Sequence, residues 1–179
     1  MTKANYTDAA KKKAVREFLF SQFKLSKIVG LPGPNYNECI KFYESKGFKD
    51  IEVWENTPEV LMHQFMAANK PVRMRFGDIL NAEPNRIDTL YDLDYCATVY
   101  TLTKHISKFK DNFIMTLSTR AGIEFTINEF FKARKEKIVS SINKYSPINH
   151  KIFTTNTNGK YIFTPYFDTS AMCCIAKIK

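Results

Sequence analysis

Apolar positions recur along this chain in two rhythms, one helical and one alternating, that take turns. From Ala9 to Phe23 the residues Ala14, Phe18 and Leu19, widened by Phe20 and Phe23, follow helical spacing and predict an amphipathic helix with a basic outer face. KIVGL (27–31) is a short apolar run of buried-strand type. NYNECIKFYESKG (35–47) returns to helical spacing and ends at Gly47. KDIEVWEN (49–56) alternates, with Ile51, Val53 and Trp54 directed inward, and predicts a second strand. TPEVLMHQFMAAN (57–69) predicts a helix with Thr57 as N-cap and Pro58 in its first turn.

The rhythm repeats downstream. PVRMRFGDIL (71–80) predicts a third strand with Val72, Met74 and Phe76 on one face, and TLYDLDYCAT (89–98) a fourth that runs into a turn. VYTLTKHISKF (99–109) predicts a helix, DNFIMTLSTR (111–120) a fifth strand, and INEFFKARKEKIVSSINKY (127–145) a long basic helix. The end changes character: HKIFTTNTNGKYIFTPYFD (150–168) and AMCCIAKIK (171–179) read as antiparallel strands, with Asn158-Gly159 as a hairpin turn. One helix, five strand–helix units and two or three hairpin strands predict an α/β chain. Its fold is Rossmann-like: a doubly wound, mostly parallel sheet of about seven strands with a C-terminal antiparallel hairpin. No repeat or linker divides it, so a single domain is expected over 1–179, with a basic helix (1–23), an alternating core (24–145) and a hairpin (146–179).

Charge changes this picture. The net charge of +9 favours a polyanionic partner, DNA or RNA first, through Lys11, Lys12, Lys13 and Arg16 and through Lys132, Arg134 and Lys135. The same abundance of lysine, asparagine, isoleucine and phenylalanine is what AT-rich coding produces, as in a phage or a low-GC microbe, and the charge is then incidental. No apolar run approaches the roughly 20 residues of a membrane span, and the first residues lack the apolar core of a secretory signal. The four cysteines show neither zinc spacing nor a C-x-x-C pair, and Cys173-Cys174 suits a reduced, buried strand. A cytoplasmic protein without a metal or a membrane partner is expected; a homodimer or a partner subunit stays open.

Ligands of such sheets bind beyond the carboxyl ends of the strands. There the chain places Gly30-Leu-Pro32-Gly33-Pro-Asn35, Glu55, Gly77-Asp78 and Asp92-Leu-Asp94-Tyr95-Cys96. A carboxylate about 20 residues beyond a glycine turn suits a ribose diol, because its oxygens accept both hydroxyl hydrogens. The bland readings are a tight turn at Gly30 and Gly33, a helix cap at Asp78, and a strand end at Asp92 and Asp94. Pro32 and Pro34 remove backbone donors, which makes the turn a poor phosphate cradle and argues against a dinucleotide.

This layout resembles the class I S-adenosylmethionine-dependent methyltransferases from about residue 24 to the end, including the YFDTSAMCCIAKIK finish. The resemblance implies S-adenosylmethionine as cofactor. Gly30, Pro32, Gly33 and Asn35 would pass its amino-acid part, Glu55 would hold the ribose, and Asp78 would meet the adenine amino group. The chain departs from the family at Ile28, where an acid normally stands, and in having two glycines three apart. YDLDYC is similar to the Asp/Asn-Pro-Pro-aromatic motif of amino-directed nucleic-acid methyltransferases, and to the Asp-x-Asp-Pro-Phe-Gly of tRNA guanine-N2 dimethyltransferases, but lacks their proline. On that likeness Asp94 accepts from the exocyclic amine, Tyr95 stacks on the base and Asp92 supports cofactor or substrate. The reading is methyl transfer to a base nitrogen of DNA or RNA. Its rivals are a catalytically degenerate relative that binds nucleic acid or scaffolds a partner, and a methyltransferase for a small molecule or protein. His63 and His105 read as ordinary helix residues.

Overall fold

Helix α1 (Ala9–Phe20) lays Val15, Leu19 and Phe20 on one face of a sheet that begins with β1 (Lys27–Gly30). The structure, a computed structural model, describes residues 9–33, 35–118, 123–137, 143–145, 150–154, 160–165 and 172–179. Helix α2 (Tyr36–Ser45) follows β1 and adds Tyr36, Ile40 and Tyr43 to the same layer. It ends as expected at Gly47, whose φ of +89° favours glycine. The bonds from Gly47 N–H to Glu44 C=O and from Phe48 N–H to Tyr43 C=O close a Schellman cap.

Strand β2 (Asp50–Glu55) pairs in parallel with β1, and α3 (Pro58–Ala67) returns the chain to β3 (Arg73–Phe76) at the sheet edge. Thr57 occupies the N-cap of α3 without a side-chain cap bond; its N–H instead donates to the Glu55 carboxylate. β2 alternates between two buried layers. Ile51 and Val53 join the α1–α2 side, whereas Trp54 packs on the other face.

The third unit departs from the expected pattern. Between β3 and β4 (Thr89–Ala97) there is no α-helix, only one 3-10 turn at Ile79–Asn81. Helix α4 (Thr103–Lys108) then leads to β5 (Phe113–Ser118), and Ile106, Phe109, Phe113, Met115 and Leu117 build the second core with Tyr91 and Leu93.

Helix α5 (Ile123–Arg134) corrects the expected long helix over 127–145: it starts earlier and stops at Arg134. Lys135 takes a φ of +56°, and bonds from Lys135 N–H to Lys132 C=O and Glu136 N–H to Phe131 C=O form a second Schellman cap, here without glycine. Residues 143–145, expected as helix, are strand β6 (Asn143–Tyr145). β7 (His150–Thr154), β8 (Lys160–Pro165) and β9 (Met172–Ile178) complete one sheet of order β3-β2-β1-β4-β5-β9-β8-β7-β6. β1 to β5 run parallel and the last four strands antiparallel. The doubly wound fold with its terminal hairpin is therefore present, and β7 and β6 carry the sheet two strands past the hairpin. The Asn158-Gly159 turn lies outside the described residues.

Candidate functional site

The carboxyl ends of β3, β2, β1 and β4 adjoin in that order, which brings Gly77-Asp78, Glu55, Gly30 and Asp94 to one rim of the sheet. β1 leaves the sheet at Gly30 and turns through Leu31, half-buried Pro32 and Gly33. Gly33 has a φ of +57°, and nothing lies within 4 Å of the place a Cβ would take. Its carbonyl accepts from Gln64 Nε2 at 2.7 Å. Gln64 is fully buried on α3, and its Oε1 has no partner among the described residues.

Gly30 serves another purpose. The hydroxyl of Tyr43 fills the place of its absent side chain, with the ring's Cζ 3.1 Å from where a Cβ would stand. Tyr43 Oη donates to Asp92 Oδ2 at 2.7 Å, and Arg16 Nη2 reaches the same oxygen at 2.7 Å. The Arg16 guanidinium sits 5.1 Å from the centroids of both Phe20 and Phe42. Asp92 was expected at a strand end; it lies inside β4, paired with Gly30 and 2% exposed. Its Oδ1 has no hydrogen-bond partner among the described residues. Burial pushes the Tyr43 phenol well up and the Cys39 thiol up to about 11, so both stay protonated beside this carboxylate.

The end of β4 is irregular. Asp94 pairs with Thr116 and Ala97 with Leu117, so Tyr95 and Cys96 bulge out of the ladder at the rim. Asp94 is half-buried there. The Tyr95 hydroxyl hydrogen-bonds His105 Nδ1 from α4, with the rings 4.4 Å apart at 80°. Burial pushes the Tyr95 phenol up, and the Asp78 carboxylate adds to that. His105 was read as an ordinary helix residue; spatially it belongs to the rim. Burial lowers its pKa, Asp78 opposes that, and Lys108 lowers it further. The unfolded chain therefore binds more protons just below the ordinary value of 6.5, and stability drops as pH falls from there toward the folded value. His105→Gln is expected to flatten that slope in thermal melts between about pH 5 and about pH 7. An unaltered slope would assign it to another group.

Glu55 is half-exposed and accepts from Thr57 N–H at 2.9 Å, while its carbonyl receives Gly77 N–H at 3.0 Å and ties the two strand ends together. Asp78 is exposed; it caps the 3-10 turn by accepting from Leu80 N–H at 2.9 Å. Asn35 is exposed at the start of α2 and makes no cap bond. Glu55, Asp78 and Asp94 form an acceptor-rich rim whose turn carries no lysine or arginine, and beneath it lie the buried Asp92 Oδ1 and Gln64 Oε1, without partners among the described residues. Such a rim suits hydroxyl, amino and ammonium groups rather than phosphate.

Two of the basic residues expected on a nucleic-acid surface point elsewhere. Arg16 is clasped by Asp92 between two rings, as above. The Arg134 side chain is 4% exposed and donates to the carbonyls of Ile106 and Phe109 at 2.6 Å and of Lys110 at 3.0 Å, which closes the end of α4. Lys13, Lys132 and Lys135 are exposed, and the side chains of Lys11 and Lys12 lie outside the description. Among the described residues no group of three His, Cys, Asp or Glu is placed to hold a metal ion, and no helix is long and apolar enough to cross a membrane.

No protein-family model and no curated protein matches this sequence. Solved structures do resemble it. A SAM-dependent methyltransferase of Leishmania major aligns with a TM-score of 0.58 at 12% identity, covering 92% of this chain and 70% of that one. A SAM-dependent methyltransferase of Mesorhizobium loti gives 0.54 at 7% identity over 96% and 99% of the two chains. The N-methyltransferase NodS of Bradyrhizobium japonicum gives 0.53 at 11% identity over 95% and 97%. At such identities the likeness is one of fold, and this chain has the fold of the SAM-dependent methyltransferases.

Proposed function

We propose that this chain is an S-adenosylmethionine-dependent methyltransferase whose acceptor is an exocyclic base nitrogen of DNA or RNA. The observation that carries the reading is the acceptor-rich rim, in which Glu55, Asp78 and Asp94 stand on adjacent strand ends around an open glycine turn. The residues fit that cofactor group by group. Glu55 would accept from the ribose diol and Asp78 from the adenine amine, while the unpartnered Gln64 Oε1 beside Gly33 suits an ammonium group. Although Ile28 replaces the family's acid, a carboxylate is still present beneath the turn, because Asp92 stands level with Gly30 on the neighbouring strand.

When bound, the cofactor supplies an electrophilic methyl group on a sulfonium centre. The chain's part is positioning. The Asp94 carboxylate would accept a hydrogen bond from the substrate amine and aim its lone pair, and would take up the proton that the nitrogen gives up. Tyr95, held at its hydroxyl by His105, would fix the wall beside the amine. A base within a duplex reaches such a rim only when flipped or already single-stranded. The net charge of +9 and the exposed Lys13, Lys132 and Lys135 support a nucleic-acid acceptor.

Calorimetric titration with S-adenosylmethionine tests the reading. Wild-type protein is expected to bind, and Glu55→Ala to bind at least about tenfold more weakly, as loss of a charge-assisted hydrogen bond implies. A folded wild-type chain that takes up no cofactor would retire the enzyme and favour the degenerate, nucleic-acid-binding relative.

A further inference from the structure

The missing helix of the third unit leaves part of the sheet's α4–α5 face open, and a basin of about 540 Å³ occupies it. Its lining includes Lys27, Asp50, Arg73 and Thr89, the first residues of β1, β2, β3 and β4, so it lies at the end of these strands opposite the acceptor-rich rim. Glu52 is 3% exposed in this lining. Arg86 grips both of its oxygens at 3.2 Å, Arg73 adds a bond at 3.1 Å, and Trp54 Nε1 donates at 2.7 Å. With four donors, that carboxylate is saturated and serves to hold two guanidinium groups in place. Arg73 also reaches Asp50 at 3.3 Å, and Arg86 Nε lies 3.8 Å from the exposed Glu83. Arg75, on the same face of β3 as Arg73, lines the basin without an ion-pair partner among the described residues, and Lys27 is exposed at its rim.

We propose that this basin binds a phosphate group, held by Arg75 and by the guanidiniums of Arg73 and Arg86 that Glu52 has already ordered. Four cations stand there against three carboxylates, and the one buried carboxylate is already saturated. The Arg75 fork matches phosphate oxygens in pairs, while Arg73 and Arg86, whose Nη1 and Nη2 already donate to carboxylates, offer their remaining N–H groups from positions fixed beforehand, which costs little entropy on binding. Among the described residues β3 has a neighbour on one side only, which leaves the basin open along the sheet edge to a long ligand as well as a small one. The phosphate is therefore that of a long phosphodiester backbone or of a small phosphate-bearing molecule.

Trp54 is the only tryptophan of the chain and donates directly to Glu52, so its emission reports on the basin. The full chain is titrated with inorganic phosphate, uridine monophosphate and a single-stranded RNA oligonucleotide, for wild type, Arg75→Glu and the control Lys41→Glu, an exposed lysine of α2. A saturable change in wild type, at least tenfold weaker in Arg75→Glu and unaltered in Lys41→Glu, is expected, with both variants melting as wild type does. Tighter binding of the oligonucleotide than of the mononucleotide at equal phosphate would identify the backbone as the source; equal binding would identify a small phosphate-bearing ligand. No saturable change with any of the three overturns the proposal. So does an Arg75→Glu affinity equal to wild type, or an equal loss in Lys41→Glu.

Discussion

Asp92→Ala is expected to destabilise the fold by about 3–5 kcal/mol, because it leaves a half-buried guanidinium and a buried phenol without their shared acceptor. The Arg16 side chain is 14% exposed and Tyr43 wholly buried, so water replaces little of what is lost. At roughly 2–4 °C per kcal/mol for a chain of this size, the melting temperature should fall by about 6–20 °C. Arg16→Met in the same background should recover part of the loss, since an apolar side chain in that place does not need the acceptor that Asp92 supplied. Urea unfolding of the two single variants and the double gives the coupling directly. An Asp92→Ala midpoint within error of wild type would mean that the pair does not hold α1 to β4.

Gly30→Ala should cost about 2–4 kcal/mol, although it adds only one carbon. Tyr43 Oη stands where the new methyl would go, and the ring's Cε2 lies 3.3 Å away, so the ring must retreat from Asp92. Such a clash predicts strong non-additivity. Tyr43→Phe alone loses one hydrogen bond and leaves Asp92 with Arg16, about 1–2 kcal/mol. The double variant, with the hydroxyl gone, should be more stable than the sum of the two losses predicts. Strict additivity in the double variant would show that Gly30 is required for another reason, such as the approach of a ligand. Ordinary backbone conformation strengthens the test, because Gly30 is not among the glycines with positive φ.

The two cores were legible as rhythm. Ile28, Ile51 and Val53 face one layer and Leu93, Phe113 and Met115 the other because a strand's side chains alternate, and a period of two survives in a sequence without any alignment. Gly47 was legible as a helix stop for the same local reason. Arg134 was not. Its place in a KARKEK run reads as solvated charge, and only the folding of α5 against α4 brings three backbone carbonyls within reach. The break at Lys135 follows from that docking and carries no glycine to announce it. The third unit was expected to carry a helix like the others, and only the structure shows a 3-10 turn in its place.

At the rim, Glu55, Asp78 and Asp94 were readable because each follows a strand by a fixed local offset, and offsets along a chain are what a sequence records. Gln64 left a faint trace as an amide in an apolar helix. His105 left none. It comes to Tyr95 through the crossover of α4, and Tyr43 comes to Asp92 from 49 residues away. The sequence by itself determined the α/β alternation, the order of acidic residues on the strand ends and a turn unsuited to phosphate, all properties of local spacing and backbone chemistry. Tertiary structure alone decided which charges are spent inside, Arg16 and Arg134 among them, and which remain open, as Arg75 does. The reason is that burial and partnership depend on contacts between distant segments, and one sequence records no such contacts.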